Sequence, residues 1–183
     1  MKKTWSNLIL LGIVISLAAC STAKKTNYTD EEIALMHKRV ESKSIYIDAK
    51  WASPLATQSL NSIANAGMLP PGSSINRIDL YGTSSFLEIN GDSVSAELPY
   101  YGERQIGGAY NSNNVGINFD GKAENMNMTY IPKRNAYDIE FSIANETEVF
   151  NINAVLFPNN NVAVNINSSQ RLTIKYQGVL KEN

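Results

Sequence analysis

His37 is the single histidine and Cys20 the single cysteine. A zinc site of usual composition needs more His or Cys ligands than that. A Ser-His-Asp triad would have to use His37, and no Gly-x-Ser-x-Gly turn presents a serine to it. His37 sits beside Lys38 and Arg39 on a segment of helical spacing, where a solvent-facing imidazole is the expectation. Carboxylates need less: glycoside hydrolysis requires only two at the right separation. Strand alternation places Asp138 with Glu140, and Glu88 with Glu97, on shared faces, where acidic residues are expected to be solvated. No Asp-x-Asp-x-Asp-Gly run offers a calcium loop, and Gly107-Gly108 lacks the further Gly and Lys-Ser/Thr of a phosphate cradle. The expectation is no catalytic residue, no metal, no cofactor and no enzyme activity. What remains are candidate loop contacts: Tyr100, Tyr101, Gly102 and Tyr110, around the glycine-rich stretch from Gly102 to Gly108. Aromatics on a loop can stack on a sugar or close a barrel mouth; the same residues can simply end a strand and pin a corner.

The segment that would position these residues follows a leader. Lys2 and Lys3 precede an apolar run, Leu8 to Ala19, that is too short to span a bilayer and has the layout of a secretory signal. Of the 183 residues, 19 would leave with it, and 164 suffice for one domain with a core. Loss of Lys2 and Lys3 leaves 14 basic against 17 acidic side chains, a formal charge of −3. That balance argues against nucleic acid, whose binders need a basic stripe. With one cysteine, no intramolecular disulfide can form, which suits an oxidising compartment. No later segment is long and apolar enough for a transmembrane helix.

Leu17-Ala18-Ala19-Cys20 resembles the lipobox of bacterial lipoproteins. The resemblance implies diacylation of the Cys20 thiol with palmitate-like chains, cleavage after Ala19 and N-acylation of the new terminus. Residues 1–19 are then a lipoprotein signal peptide, 20–28 the lipidated Cys and a flexible tether, and 29–183 a single β-rich domain. Each buried methylene contributes about 0.8 kcal/mol, so two or three chains on one residue hold permanently where one does not. The polar stretch Ser21 to Asn27 reaches about 25 Å at most. Ser21 stands where an Asp would imply inner-membrane retention, and no acidic residue follows of the kind that marks surface export in Bacteroides-type bacteria. The implied location is the outer membrane, lipid-anchored and facing the periplasm.

Thr29 to Ser42 has helical spacing, with Thr29 and Glu32 as a capping box and Ile33, Met36 and Val40 on one stripe. A second helix is expected from Gln58 to Ala66, stopped by Gly67. The rest alternates with period two. Ile45, Ile47, Ala49 and Trp51 should face one way and Tyr46, Asp48 and Lys50 the other. Two-residue turns are expected at Asn90-Gly91, setting Leu87 opposite Val94, and at Asp120-Gly121, setting Ile117 against Glu124. A turn at Asn145-Glu146 would set Phe141 opposite Phe150, one at Asn159 to Asn161 would set Leu156 opposite Val164, and one at Ser168 to Gln170 would set Val164 opposite Ile174. The outer face of these strands carries Asn151, Asn153, Asn165, Asn167, Lys175 and Gln177, whose amides suit water or glycans. About eight strands, each with one apolar face, form a mainly β, antiparallel meander closed as a barrel or stacked as a two-sheet sandwich, with a short N-terminal helix.

Leu98-Pro99-Tyr100-Tyr101-Gly102 after the hairpin, Val115-Gly116-Ile117-Asn118-Phe119, and the final Arg171, Ile174, Tyr176 and Gly178 resemble a family of uncharacterised Bacteroides-type lipoproteins. The match spans about Ile45 to Leu180, with an insertion from Leu55 to Ser73. The family is a domain of unknown function, so the resemblance implies an anchor and a β domain but no activity. Asp92-Ser93-Val94 also resembles the O-glycosylation site of such envelope proteins. The leading expectation is non-catalytic binding of a small apolar or amphipathic ligand, or of an outer-membrane protein partner, beside a membrane reached through the lipid. The alternatives are a structural or assembly component of an outer-membrane complex and a carboxylate-based hydrolase.

Overall fold

A computed structural model describes residues 28–106 and 116–181. The leader, Cys20, the tether up to Asn27 and Tyr110 lie outside the described residues. Thr29 caps helix α1 (Asp30–Glu41): its hydroxyl accepts from the Glu32 amide at 3.2 Å, and the Glu32 carboxylate accepts from the Thr29 amide at 2.8 Å. Met36 and Val40 are buried on the inner side of the helix. His37 is not solvent-facing as expected: it is half-buried, its Nδ1 2.7 Å from the Tyr137 hydroxyl and its ring against Tyr130 at 4.8 Å. The helix is pressed onto the sheet, and that contact takes the imidazole out of water. Helix α2 (Gln58–Asn65), capped by Thr57, ends at Gly67 with φ 69°, a backbone shape that glycine adopts without strain.

The strands are β1 (Ser44–Pro54), β2 (Ile78–Asp79), β3 (Phe86–Asn90), β4 (Ser93–Leu98), β5 (Ile117–Lys122), β6 (Glu124–Ile131), β7 (Ala136–Asn145), β8 (Glu148–Leu156), β9 (Asn161–Ser168) and β10 (Ile174–Lys181). Their order is β5-β4-β3-β1-β10-β9-β8-β7-β6, all antiparallel, with β2 an appendage of β1. The first and last long strands pair with each other, and the two edges, β5 and β6, are consecutive in the chain with only Ala123 between them. The expected turn at Asp120-Gly121 is therefore absent. Asp120 and Gly121 pair with Ser95 and Val94 inside β5, which holds them extended, and the chain runs on as a bent strand that serves both edges. Asn145 in β7 donates its side-chain amide to the Asn118 carbonyl at 2.7 Å across the remaining seam. With β5–β6 as one stave and β2 set aside, eight staves form a nearly closed barrel rather than a sandwich.

The expected facing holds along most strands, while the expected partners are displaced by two residues. Leu87 pairs with Ala96, Phe141 with Ile152, Leu156 with Val162 and Tyr176 with Val164. A two-residue displacement keeps every side chain on its face, so the hydrophobic pattern does not resist it. Local bonds decide the register instead. Asn90 stays in its strand because it pairs with both Ser44 and Ser93, so the turn is Gly91-Asp92 with Gly91 at φ 64°. Asn145 pairs with Glu148, leaving Glu146-Thr147 as the next turn, and Pro158 to Asn160 forms the one after, with Asn160 at φ 63°.

Trp51 breaks the alternation. The ladder of β1 with β10 skips Lys50, so Ala49 points inward, Trp51 outward and Ala52 inward again. Gly178 sits opposite this bulge, where a Cβ would lie 2.3 Å from the Asp48 carbonyl oxygen; only glycine permits the approach. Inside, Ile45, Ile47, Leu87, Ile89, Ile139, Phe150, Leu156, Ile166 and Tyr176 are all almost completely enclosed in one continuous cluster. Phe141, 3% exposed, belongs to it, and Phe141→Ala should cost about 3–5 kcal/mol in a urea melt. The outward Val149→Ala, at 41% exposure, should change stability by less than about 0.5 kcal/mol. A larger loss for Val149→Ala than for Phe141→Ala would mean the two faces are assigned backwards.

Candidate functional site

Charge is buried at the barrel end away from α1. Glu148 follows the inward parity of Phe150 and Ile152, so its carboxylate points into the barrel mouth. Arg171 meets it with two parallel bonds, Nε to Oε1 at 2.8 Å and Nη2 to Oε2 at 3.0 Å. The side chains are 4% and 8% exposed, so each needs the other to replace lost water. The Ser168 hydroxyl donates to Glu148 as well, and Arg104 bridges the Glu148 carboxylate, at 3.2 Å, and the Gln170 side chain, at 3.0 Å. Arg171 Nη1 donates to the Gly116 carbonyl at 2.8 Å, which ties the start of β5 into the same cluster.

The Tyr100 loop lies across this network. Leu172 and Gln105 donate backbone amides to Glu103 and Gln170 carbonyls, at 3.1 and 2.8 Å, so residues 103–105 are stitched to the β9–β10 loop. The Tyr100 hydroxyl donates to the Leu172 and Glu103 carbonyls at 2.9 and 3.0 Å, and the Arg171 guanidinium lies 5.2 Å from its ring centre. A Cβ at Gly102 would come within 2.3 Å of the Tyr100 hydroxyl, so any larger residue there would push the ring off these carbonyls. Tyr176 donates to the Pro99 carbonyl at 2.8 Å. Burial pushes the phenols of Tyr100 and Tyr101 above their ordinary value and that of Tyr176 farther still, so Tyr176 remains a donor. Two segments far apart in the chain, 98–102 and 171–178, thus meet at one place.

A second feature is on the outer wall. Lys50, Trp51, Phe157, Asn161, Ala163 and Gln177 line a groove of about 360 Å³ where β1, β10 and β9 lie side by side. The β1 bulge places Trp51 there, and the Arg77 guanidinium stacks on the indole at 3.5 Å. Arg134 lies 5.7 Å from the Phe157 ring centre. Lys50 is steered by Asp48, whose carboxylate also holds Lys181, at 2.6 and 2.7 Å. Burial raises the Asp48 carboxyl, but the Lys181 and Lys50 ammoniums outweigh it and hold it below its ordinary value.

Of the sequence candidates, Tyr100 and Gly102 come together and Tyr101 is half-buried beside them. Asp138 and Glu140 share one partner on the outer sheet face, the Asn153 amide, at 2.6 and 3.1 Å. Glu88 and Glu97 lie on the outer face of the β3–β4 hairpin. Sequence reasoning missed Glu148 and the Trp51 groove. The first had a signal, a carboxylate on the inward parity of an apolar strand; the second had none, because a bulge leaves no trace in the alternation.

Glu148→Ala and Arg171→Ala should each cost about 3–5 kcal/mol in urea unfolding, with the double variant losing clearly less than the sum. Additive losses would mean the two side chains act independently. A carboxyl held down by folding stabilises above its unfolded value, and that contribution is lost as pH falls through its folded value. The melting-temperature gap between Asp48→Asn and the parent should therefore be fully open at pH 7, begin to narrow below about pH 4 and close as pH falls through the lower folded value. A gap of the same size in the Lys50→Met/Lys181→Met background would show that the lysine contacts are not what lowers Asp48.

No curated protein matches this chain. Its fold is similar to the crystal structure of a DUF4251 family protein from Bacteroides eggerthii DSM 20697 at 1.95 Å resolution, with a TM-score of 0.53 and 16% identity over 82% of this chain and 87% of that one. At that identity the likeness concerns the fold alone. Residues 27–180 match the family described as Domain of unknown function (DUF4251), and the chain belongs to it.

Proposed function

We propose that this protein is a lipid-anchored, periplasm-facing module of the outer membrane that binds its ligand non-catalytically on its outer wall. The groove at Trp51 and Phe157 carries this reading. Inward positions of the staves are occupied by packed aliphatic and aromatic side chains, and the barrel end is occupied by the Glu148–Arg171 network. The outer wall, by contrast, presents a concave site with two aromatic rings and several polar groups. Leu17-Ala18-Ala19-Cys20 supports the anchor. A second reading, docking on an envelope protein, is favoured by Leu55, Ile63 and Met68 in and beside α2, exposed by 52, 41 and 73%.

Two measurements test this. Cys20→Ser should leave the chain uncleaved or release it from the membrane; unchanged partition with the outer membrane would remove the lipid from the account. Native mass spectrometry of the protein from its own envelope should show a bound mass that disappears on denaturation and is absent from Phe157→Ala. A bound mass that survives Phe157→Ala would move the site elsewhere, and a bare mass together with co-purification of a membrane protein would favour docking.

A further inference from the structure

We infer that the outer-wall groove is a saccharide site that seats a pyranose ring against Trp51 and Phe157. The inference rests on the binding role proposed above and adds the class of ligand. Three properties of the groove select that class together. Its rings are fixed before any ligand arrives: Arg77 covers one face of the Trp51 indole at 3.5 Å, and Arg134 stands 5.7 Å from Phe157. Little side-chain freedom is then left to lose on binding. Its floor includes Ala163 and the backbone of Gly178, so a flat ligand can settle at the level of the sheet. Its rim carries the amides of Asn161 and Gln177 and the ammonium of Lys50, which together donate and accept hydrogen bonds.

A pyranose has this character in reverse, with a C–H face for stacking on a ring and hydroxyl groups around its edge. An acyl chain would satisfy the rings and strip water from the amides and ammonium without replacing it, which is unfavourable. Lys50 shares the Asp48 carboxylate with Lys181, at 2.6 and 2.7 Å, so its ammonium is oriented and still able to donate to a sugar oxygen. A nucleobase could also stack, and adenosine monophosphate is the probe that separates it from a sugar.

The other tryptophan, Trp5, lies in the leader, so the full chain carrying Trp5→Phe keeps Trp51 as its sole indole whether or not the leader is removed, and as a direct reporter. That protein, in a polyoxyethylene detergent free of sugar, would be applied to a panel of neutral gluco-, manno-, galacto- and N-acetylhexosamine oligosaccharides. Retention on at least one backbone is expected, with a saturable shift of Trp51 emission. Phe157→Ala and Gln177→Ala should each weaken it about tenfold while the protein still unfolds in one cooperative transition above the assay temperature. No retention on any backbone would overturn the saccharide assignment, as would retention that both variants leave intact. A Trp51 shift with adenosine monophosphate or a lauryl chain, and none with the panel, would overturn the sugar while keeping the groove as the binding site. Silence of Trp51 towards every probe, with no bound mass on the native protein, would remove both the sugar and the binding role.

Discussion

The Glu148–Arg171 pair is the constraint around which one end of this molecule is arranged. A carboxylate on an inward strand position cannot stay charged inside an apolar barrel without a full set of partners. Arg171, Ser168 and Arg104 supply them: Ser168 ends β9, and the two arginines come from loops that must then lie across the mouth. Arg171 in turn reaches the carbonyl before β5 and the face of Tyr100, so the β4 exit, the β5 start and the β9–β10 loop are fixed relative to one another. Replacing such a pair by apolar residues often leaves a protein no less stable. Its value here lies in position: the bidentate geometry admits one arrangement of three loops where greasy contacts would admit several.

The outer groove depends on a different irregularity. If β1 alternated without interruption, Trp51 would point into the barrel, where the core is already filled. The bulge at Lys50 turns it outward, and Gly178 allows the two backbones to approach at that point. Asp48, at the same place, orients Lys50 and Lys181. A single extra residue in one strand thus produces the aromatic wall of the groove, and its neighbours supply the floor and the rim.

The fold was legible in the chain wherever burial alone decided it. The inward positions of β3, β4 and β7 to β10, the capping box of α1 and the Gly67 stop all follow from period and residue type. Registers were not legible, because the competing pairings differ by two residues and bury the same faces; Asn90 and Glu148 chose between them through their own bonds. The bent strand β5–β6 was read as a hairpin because Asp-Gly favours a turn locally, while the pairing of Asp120 and Gly121 with β4 overrules that preference. The cluster at the mouth was half legible. Tyr100, Gly102, Arg171 and Tyr176 were picked out as recurring residues, but nothing in a linear string says that they touch.

The pairing of β1 with β10 has a consequence for how the chain reaches this shape. Residues 44–54 wait for residues 174–181 before their ladder with β10 can form, and until then β1 is an open edge beside β3 and β4. Contacts that span so much sequence form slowly, since loop closure must come first. A ribosome or a translocation channel that has released only the first half of the chain therefore holds a segment that has no finished barrel to fold into. The last strand to emerge is the one that permits folding, so the chain stays open until its final residues are available.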